Sequence, residues 1–228
     1  MAKKQKSIHT LTLCAMFCAM AFALTTLAHF VLPPLFPAAA WLKYDPKDVI
    51  LAVCALLLGP APAFAVTVVS SALETLTYSD TGWIGLVMNI VASGAFILPG
   101  ALLYYKRRKL SMAVTGLLSG VVLMTGLMLL WNTFLTPIYM GMPRAAVVDM
   151  LVPVFLPFNM IKGALNAAIT LILYKPLTKA LRSAKLLPAS DGTESSKGTT
   201  LKMLLIALVI FAVCAVVLLI LNGKLGNV

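Results

Sequence analysis

Five stretches of the sequence, residues 10–32, 84–105, 112–131, 150–174 and 203–221, are almost uninterrupted apolar runs carrying one charged side chain between them, Lys162. Each reaches or approaches the roughly 20 residues that a helix needs to cross a bilayer. In lipid every backbone N–H and C=O must be satisfied within the protein, so a spanning chain is helical or a closed barrel. Long continuous runs, rather than segments of about ten residues alternating in polarity, select helices. Composition agrees: 61% of the 228 residues are hydrophobic and 11% charged, against about 45–50% and 25% in a soluble domain. So little charge cannot coat a water-facing surface, and so much apolar content excludes a disordered chain.

The segment 49–78 is also apolar but is interrupted by Gly59-Pro60-Ala61-Pro62, where two prolines remove backbone donors and clash with the preceding turn. It is either one kinked span or two short ones, and charge decides between them. The net charge is +11, concentrated next to apolar runs at Lys3/Lys4/Lys6, Lys106-Arg107-Arg108-Lys109 and Lys175/Lys179/Arg182/Lys185. That placement marks cytoplasmic anchors rather than a nucleic-acid surface. All three clusters reach the cytoplasmic side only if 49–78 crosses twice, with the Gly-Pro turn inside. The basic N-terminus ahead of an apolar run, with Ala21-Phe22-Ala23, also resembles a signal peptide. The run continues to residue 32, however, and a retained first helix is the reading adopted.

The expected architecture is an all-α integral membrane protein: a six-helix body over residues 1–185, a polar linker at 186–200, and an additional C-terminal transmembrane helix within 201–228. The N-terminus is then cytoplasmic and the C-terminus extracellular. The last helix has no polar residue between Met203 and Leu221, so it reads as a peripheral anchor. Three segments face outward: 33–47, a short turn around 79–83, and 132–149. Long connections of this kind tend to be lids or binding loops. Asp45-Pro46-Lys47-Asp48 makes a strong helix start, with Asp45 at the N-cap, Pro46 at the first helical position and Asp48 at the third.

Asn159, Lys162 and Asn166 lie at spacings of three and four, hence on one face of the last body helix. A lysine there costs about 2.5–3.5 kcal/mol on insertion scales and faces a cavity or a partner. With two carboxamides beside it, it suits a ligand bearing carbonyls, imide-type edges or several hydroxyls. The competing account is a structural ion pair, for example with Glu74 or Asp149. Asn132 is either a helix terminator or a ligand contact, and Asn89 either an interhelical hydrogen bond or a ligand contact. His29 reads as an interfacial histidine. Ala15, Ala19 and Ala23 recur every four residues along the first helix, a spacing that allows close helix approach, within the monomer or against a separate membrane subunit. Gly116 and Gly120 repeat the pattern less tellingly.

Several chemistries lack their residues. There is no GxxxxGK[ST] loop for ATP and no HExxH metal motif. Four cysteines (Cys14, Cys18, Cys54, Cys214) sit inside apolar runs without metal or disulfide spacing, as small core residues do. No catalytic residues, metal or cofactor are expected, which leaves binding or transport.

Phe36-Pro37 followed by Leu42-Lys43-Tyr44-Asp45-Pro46-Lys47-Asp48 and Gly59-Pro60 resembles the first loop and second helix of the substrate-binding S component of energy-coupling factor (ECF) transporters, in the riboflavin-specific branch. Thr81-Gly82 through Gly85 with Asn89 fits the same pattern, as does 156–163 with Asn166 and Tyr174-Lys175; together the match spans roughly 8–185. The resemblance implies a six-helix protein that binds a vitamin under its first outer loop. It also implies association with a membrane coupling subunit and two ATPases, with riboflavin as transported ligand rather than cofactor. It assigns Asn132, Asn159 and Lys162 to the flavin, with Leu42, Tyr44 and Trp131 along its apolar part, and Ala15, Ala19 and Ala23 to docking. The alternatives are an S component for a different vitamin or a nucleobase-like compound, and a membrane protein with no transport role. The seventh helix departs from the family pattern, and Ser79-Asp80-Thr81 is less glycine-rich than the family's turn.

Overall fold

The computed structural model describes residues 2–36, 39, 41–78, 82–187 and 197–225. The predicted turn residues Ser79-Asp80-Thr81 and most of the predicted linker 186–200 lie outside the described residues. The chain is helical throughout its spans: α1 (Ala2–Val31), α2 (Lys47–Leu58), α3 (Pro60–Thr77), α4 (Gly82–Lys106), α5 (Leu110–Phe134), α6 (Thr136–Met140), α7 (Arg144–Met150), α8 (Leu156–Ser183) and α9 (Lys197–Leu225). A π-helical turn, Leu151–Phe155, leads into α8.

The segment 49–78 is two helices, as the distribution of basic residues requires. Gly59 ends α2 with φ +92°, a left-handed backbone region that glycine enters at no steric cost, and Pro60 opens α3 at a position where its missing N–H is harmless. A methyl at Gly59 would lie 3.5 Å from the Tyr105 ring at the end of α4. The hydroxyls of Tyr104 and Tyr174 are 3.0 Å apart. The Gly-Pro turn, the basic end of α4 and the basic end of α8 therefore share one end of the bundle.

α4 packs on α2, α3 and α5, and α8 packs on α2 and α5, with α9 lying along α8. Phe17, Leu51, Val53, Phe96, Leu117 and Met124 form the centre of the core. The tightest crossing is α4 on α5. A Cβ at Gly116 would fall 2.5 Å from the Cα of Gly100, and one at Gly120 would collide with the Phe96 carbonyl. The Gly116/Gly120 pattern thus carries more packing than its sequence suggests. Along α1, Leu13, Phe17 and Ala21 are buried, whereas Ala15, Ala19 and Ala23 are exposed. The alanine stripe faces away from the monomer.

The connection 132–149, expected on the outer face, is not an open loop. It folds into α6, ended by Gly141 in the left-handed conformation (φ +64°), and α7, which starts after Pro143.

Candidate functional site

The loop between α1 and α2 is fixed at its far end by Asp45. One of its side-chain oxygens accepts the backbone N–H of Lys47 at 3.1 Å and the hydroxyl proton of Thr25 at 3.0 Å. Asp45 thus braces the start of α2, but the N-cap position falls on Pro46, which makes no side-chain cap bond, one residue later than expected. The same carboxylate holds the Lys47 ammonium at 2.7 Å, and Glu74 of α3 holds it from the other side at 2.6 Å. Asn89 of α4 donates to the same Glu74 oxygen at 3.3 Å. Asn89 thus forms the interhelical bond that its sequence position allowed.

A second group adjoins the first. Asp48, fully buried, accepts from Ser93 of α4 at 2.5 Å and from the Asn166 amide of α8 at 3.4 Å, and its other partner is Lys162 at 3.8 Å. Asn166 also donates to the Asp45 backbone carbonyl at 3.2 Å and accepts the Tyr44 hydroxyl proton at 2.6 Å. Lys162 is therefore paired with Asp48, and not with Glu74 or Asp149, the partners offered as examples from sequence; Glu74 is spent on Lys47.

Three carboxylates face two ammonium groups in this cluster. Buried charges are tolerated only when paired and hydrogen-bonded, which accounts for a lysine, Lys47, with no exposed side-chain surface. Burial alone would raise the Asp45 carboxyl. The ammonium charges of Lys47 and Lys162, with the hydrogen bonds from Lys47, outweigh it and bring the group from 3.8 down to about 2. Burial, and then the neighbouring Asp48, Asp45 and Cys214, hold the Tyr44 phenol well above its ordinary value.

The residues singled out from sequence divide into three sets. Tyr44, Asn166, Lys162 and Asn89 belong to this polar cluster. Within it Asn166 is fully buried with both ends of its amide engaged. Lys162 keeps 11% of its side chain exposed, and its 3.8 Å contact is an ion pair longer than the 2.7–2.9 Å of a charge-assisted hydrogen bond. Asn132 and Asn159 form the second set. Each donates to the carbonyl one turn back in its own helix, that of Met128 and that of Phe155, at 2.8 Å, and Asn132 also accepts from Thr136 at 2.7 Å. Gly163 of α8 faces Val121 and Met124 of α5, where a methyl would meet both at 3.0 Å. In that antiparallel register Asn159 lies roughly 6 Å and Asn132 roughly 12 Å further toward the outer loops, at 1.5 Å per residue.

The third set is apolar and split. Leu42 packs with Phe36, Phe158 and Ile161, whereas Trp131 packs on the main core with its indole N–H buried and unpartnered. His29, at the end of α1, lies 3.2 Å from the Lys43 ammonium of the loop that follows.

Asp48, Ser93 and the Lys47–Glu74 bridge are the members of the cluster that sequence reasoning missed as site residues. The signal was present: an acid or a serine inside an apolar helix, within a turn's reach of the bases, asks for a partner just as Lys162 does.

The cluster ties the loop between α1 and α2 to α2, α3, α4 and α8, and the chain as a whole is similar to known proteins. The model of the ECF transporter substrate-specific component matches residues 9–174. The riboflavin transporter FmnP of Bacillus subtilis (strain 168) is 30% identical over 189 residues, covering 78% of this chain and 97% of that protein. The riboflavin transporter RibU of Staphylococcus aureus (strain TCH60) is 29% identical over 174 residues, covering 74% and 89%. A solved structure described as "Structure and mechanism of the S component of a bacterial ECF transporter" superposes with a TM-score of 0.61 at 28% identity, over 76% of this chain and 97% of that one. The chain therefore belongs to the family of ECF transporter substrate-specific components, multi-pass membrane subunits that bind the transported substrate.

Proposed function

We propose that this chain binds riboflavin at its outer face and delivers it inward in complex with a membrane coupling subunit and two ATPases. Near-full-length similarity to a protein named a riboflavin transporter carries this reading. The donor set supports it. Lys162 offers an ammonium with spare donors, and Asn159 and Asn132 lie outward of it near the α5–α8 seam. The alternating carbonyls and N–H of a flavin's pyrimidine-like edge match carboxamides and an ammonium. Tyr44, Leu42 and Trp131 supply aromatic and apolar surface, while Asn166 and Asn89 hold the loop and helices that frame it. Riboflavin is cargo here, not a cofactor.

The N-terminus lies in the cytoplasm in this proposal, because the three basic ends of the bundle then share the inner side, and α9 carries the C-terminus outward. The exposed Ala15/Ala19/Ala23 stripe is the docking face for the coupling subunit. Small residues there allow a partner helix to approach closely without placing polar atoms in lipid.

The test is a titration of riboflavin into purified protein, read by quenching of flavin fluorescence, together with the absorption spectrum of the protein as isolated. Saturable quenching that is lost in Lys162→Ala and weakened in Asn159→Ala supports the proposal. An unsubstituted protein that neither carries a flavin nor quenches added riboflavin overturns it.

A further inference from the structure

The helix α9 lies beyond the family match, which ends at residue 174, and between Met203 and Leu221 it has no polar side chain to offer a ligand. It is nevertheless not a bystander in lipid. Met203, Ala207 and Cys214 are buried, with Ile210, Val217 and Leu221 packed beside Cys214. These positions recur at spacings of three and four, one helical face. Small side chains at Ala207 and Cys214 let that face approach closely. A helix apolar on every side shows no amphipathic stripe, so this face is not legible as a polarity pattern.

What it packs against is the outer loop as well as α8. Phe36 and Ala39 of the loop, both almost fully buried, share one apolar cluster with Cys214 and with Val154, Phe158 and Ile161; Leu35 and Leu42 join it. Beside this cluster a cleft of about 380 Å³ is bounded by Leu35 and Tyr44 of the loop, Leu165 and Ile169 of α8, and Phe211 of α9. The Tyr44 hydroxyl is tied to Asn166, and on its other side Tyr44 shares the wall of this cleft with Phe211, a side chain of α9 that stays 38% exposed.

We infer that α9 is a strap on the outer loop: Phe211 and Cys214 are positioning residues that restrain the segment carrying Tyr44 and so slow release of the ligand beneath it. The release half of this inference rests on the proposed function, whereas the restraint does not. Loop segments with few apolar contacts open most readily, and α9 supplies such contacts to a loop rich in proline. Removing them raises the rate at which the loop opens while leaving the polar recognition groups in place.

The experiment uses the full chain in detergent or nanodiscs, with Phe211→Ala, the milder Cys214→Ala, and Val209→Ala as a lipid-facing control (63% exposed). Amide hydrogen exchange over 32–46 is read without ligand. About tenfold faster exchange there in Phe211→Ala, an intermediate effect in Cys214→Ala, and no change in α2 or in the control establish the strap. Unchanged exchange in both variants overturns it. Riboflavin is then the probe for release. Dissociation at least about fivefold faster with an association rate changed less than about twofold supports the release role, and equal loss in both rates, or none, overturns that role. If the unsubstituted protein fails to bind riboflavin, the proposed function falls and the exchange result still judges the strap.

Discussion

Tyr44 and Asn166, 122 positions apart in the chain, are joined by a 2.6 Å hydrogen bond from the phenol to the carboxamide oxygen. Because Asn166 also reaches the Asp45 carbonyl and Asp48, this bond clamps the outer loop to the last helix of the body. Replacing Tyr44 by phenylalanine removes the clamp and leaves a buried acceptor unsatisfied, at a cost of about 1–3 kcal/mol. The expected result is a lower thermal midpoint and riboflavin binding weakened by roughly tenfold, in proportion to that energy. A variant with wild-type melting and wild-type affinity would show that the loop is held elsewhere.

The bridge from Asp45 through Lys47 to Glu74 predicts an asymmetric mutational pattern. Glu74→Ala or Lys47→Ala strips one partner from a buried pair and is expected to destabilise by about 3–5 kcal/mol. The double substitution Lys47→Ala with Glu74→Ala, which removes both members of that pair and leaves only Asp45 facing a lost partner, should cost less than the sum of the single changes. Chemical denaturation of the three variants in detergent measures this, and strict additivity would count against a coupled bridge.

Asp45 gives a pH signature with a definite sign. Its folded value of about 2 lies below the ordinary 3.8, so the ionised group stabilises the fold. That contribution is complete above about pH 4 and disappears as the pH falls through 2. Each tenfold change in proton affinity is worth about 1.4 kcal/mol, so the lowered value contributes about 2 kcal/mol in all. The stability gap between the unsubstituted protein and Asp45→Asn should therefore be constant from pH 7 to 5 and shrink by about that amount by pH 2. A gap that widens on acidification would reverse the assignment.

Ala19 is central in the exposed stripe of α1. Ala19→Trp is expected to leave flavin affinity within about twofold and to abolish co-purification with the coupling subunit, since a bulky ring prevents close helix approach. Retained co-purification at wild-type yield would move the docking face off α1.

Much of the framework could be read from the chain. Apolar run length gave the spans, and the rule that basic ends gather on one side resolved 49–78 into two helices. A helix start at Asp45-Pro46-Lys47-Asp48 was legible because turn chemistry is local, although the cap position itself falls on Pro46 rather than Asp45. The cluster around Asp48 was not, because the same four residues that start α2 satisfy a local motif, and nothing local reveals that Glu74, Ser93 and Asn166 converge on them from three other helices. Gly116 and Gly120 were undervalued for a related reason: only the partner backbone at Phe96 and Gly100 shows how little space is left. The packing face of α9 was hidden because size, not polarity, distinguishes it.

The shortness of α2 bears on how the polypeptide enters the bilayer. Twelve residues rise about 18 Å, well short of the roughly 30 Å hydrocarbon layer, and two of its first residues are charged and wholly enclosed. Released alone into lipid, that segment would be too brief to bridge the layer and would carry Lys47 in with only one of its two carboxylate partners. Asp45 travels with Lys47, but the second carboxylate that holds it arrives only with Glu74, one helix later. The expected consequence is that α2 and α3 enter the bilayer together, as a hairpin turning at Gly59, with Lys47 held between Asp45 and Glu74.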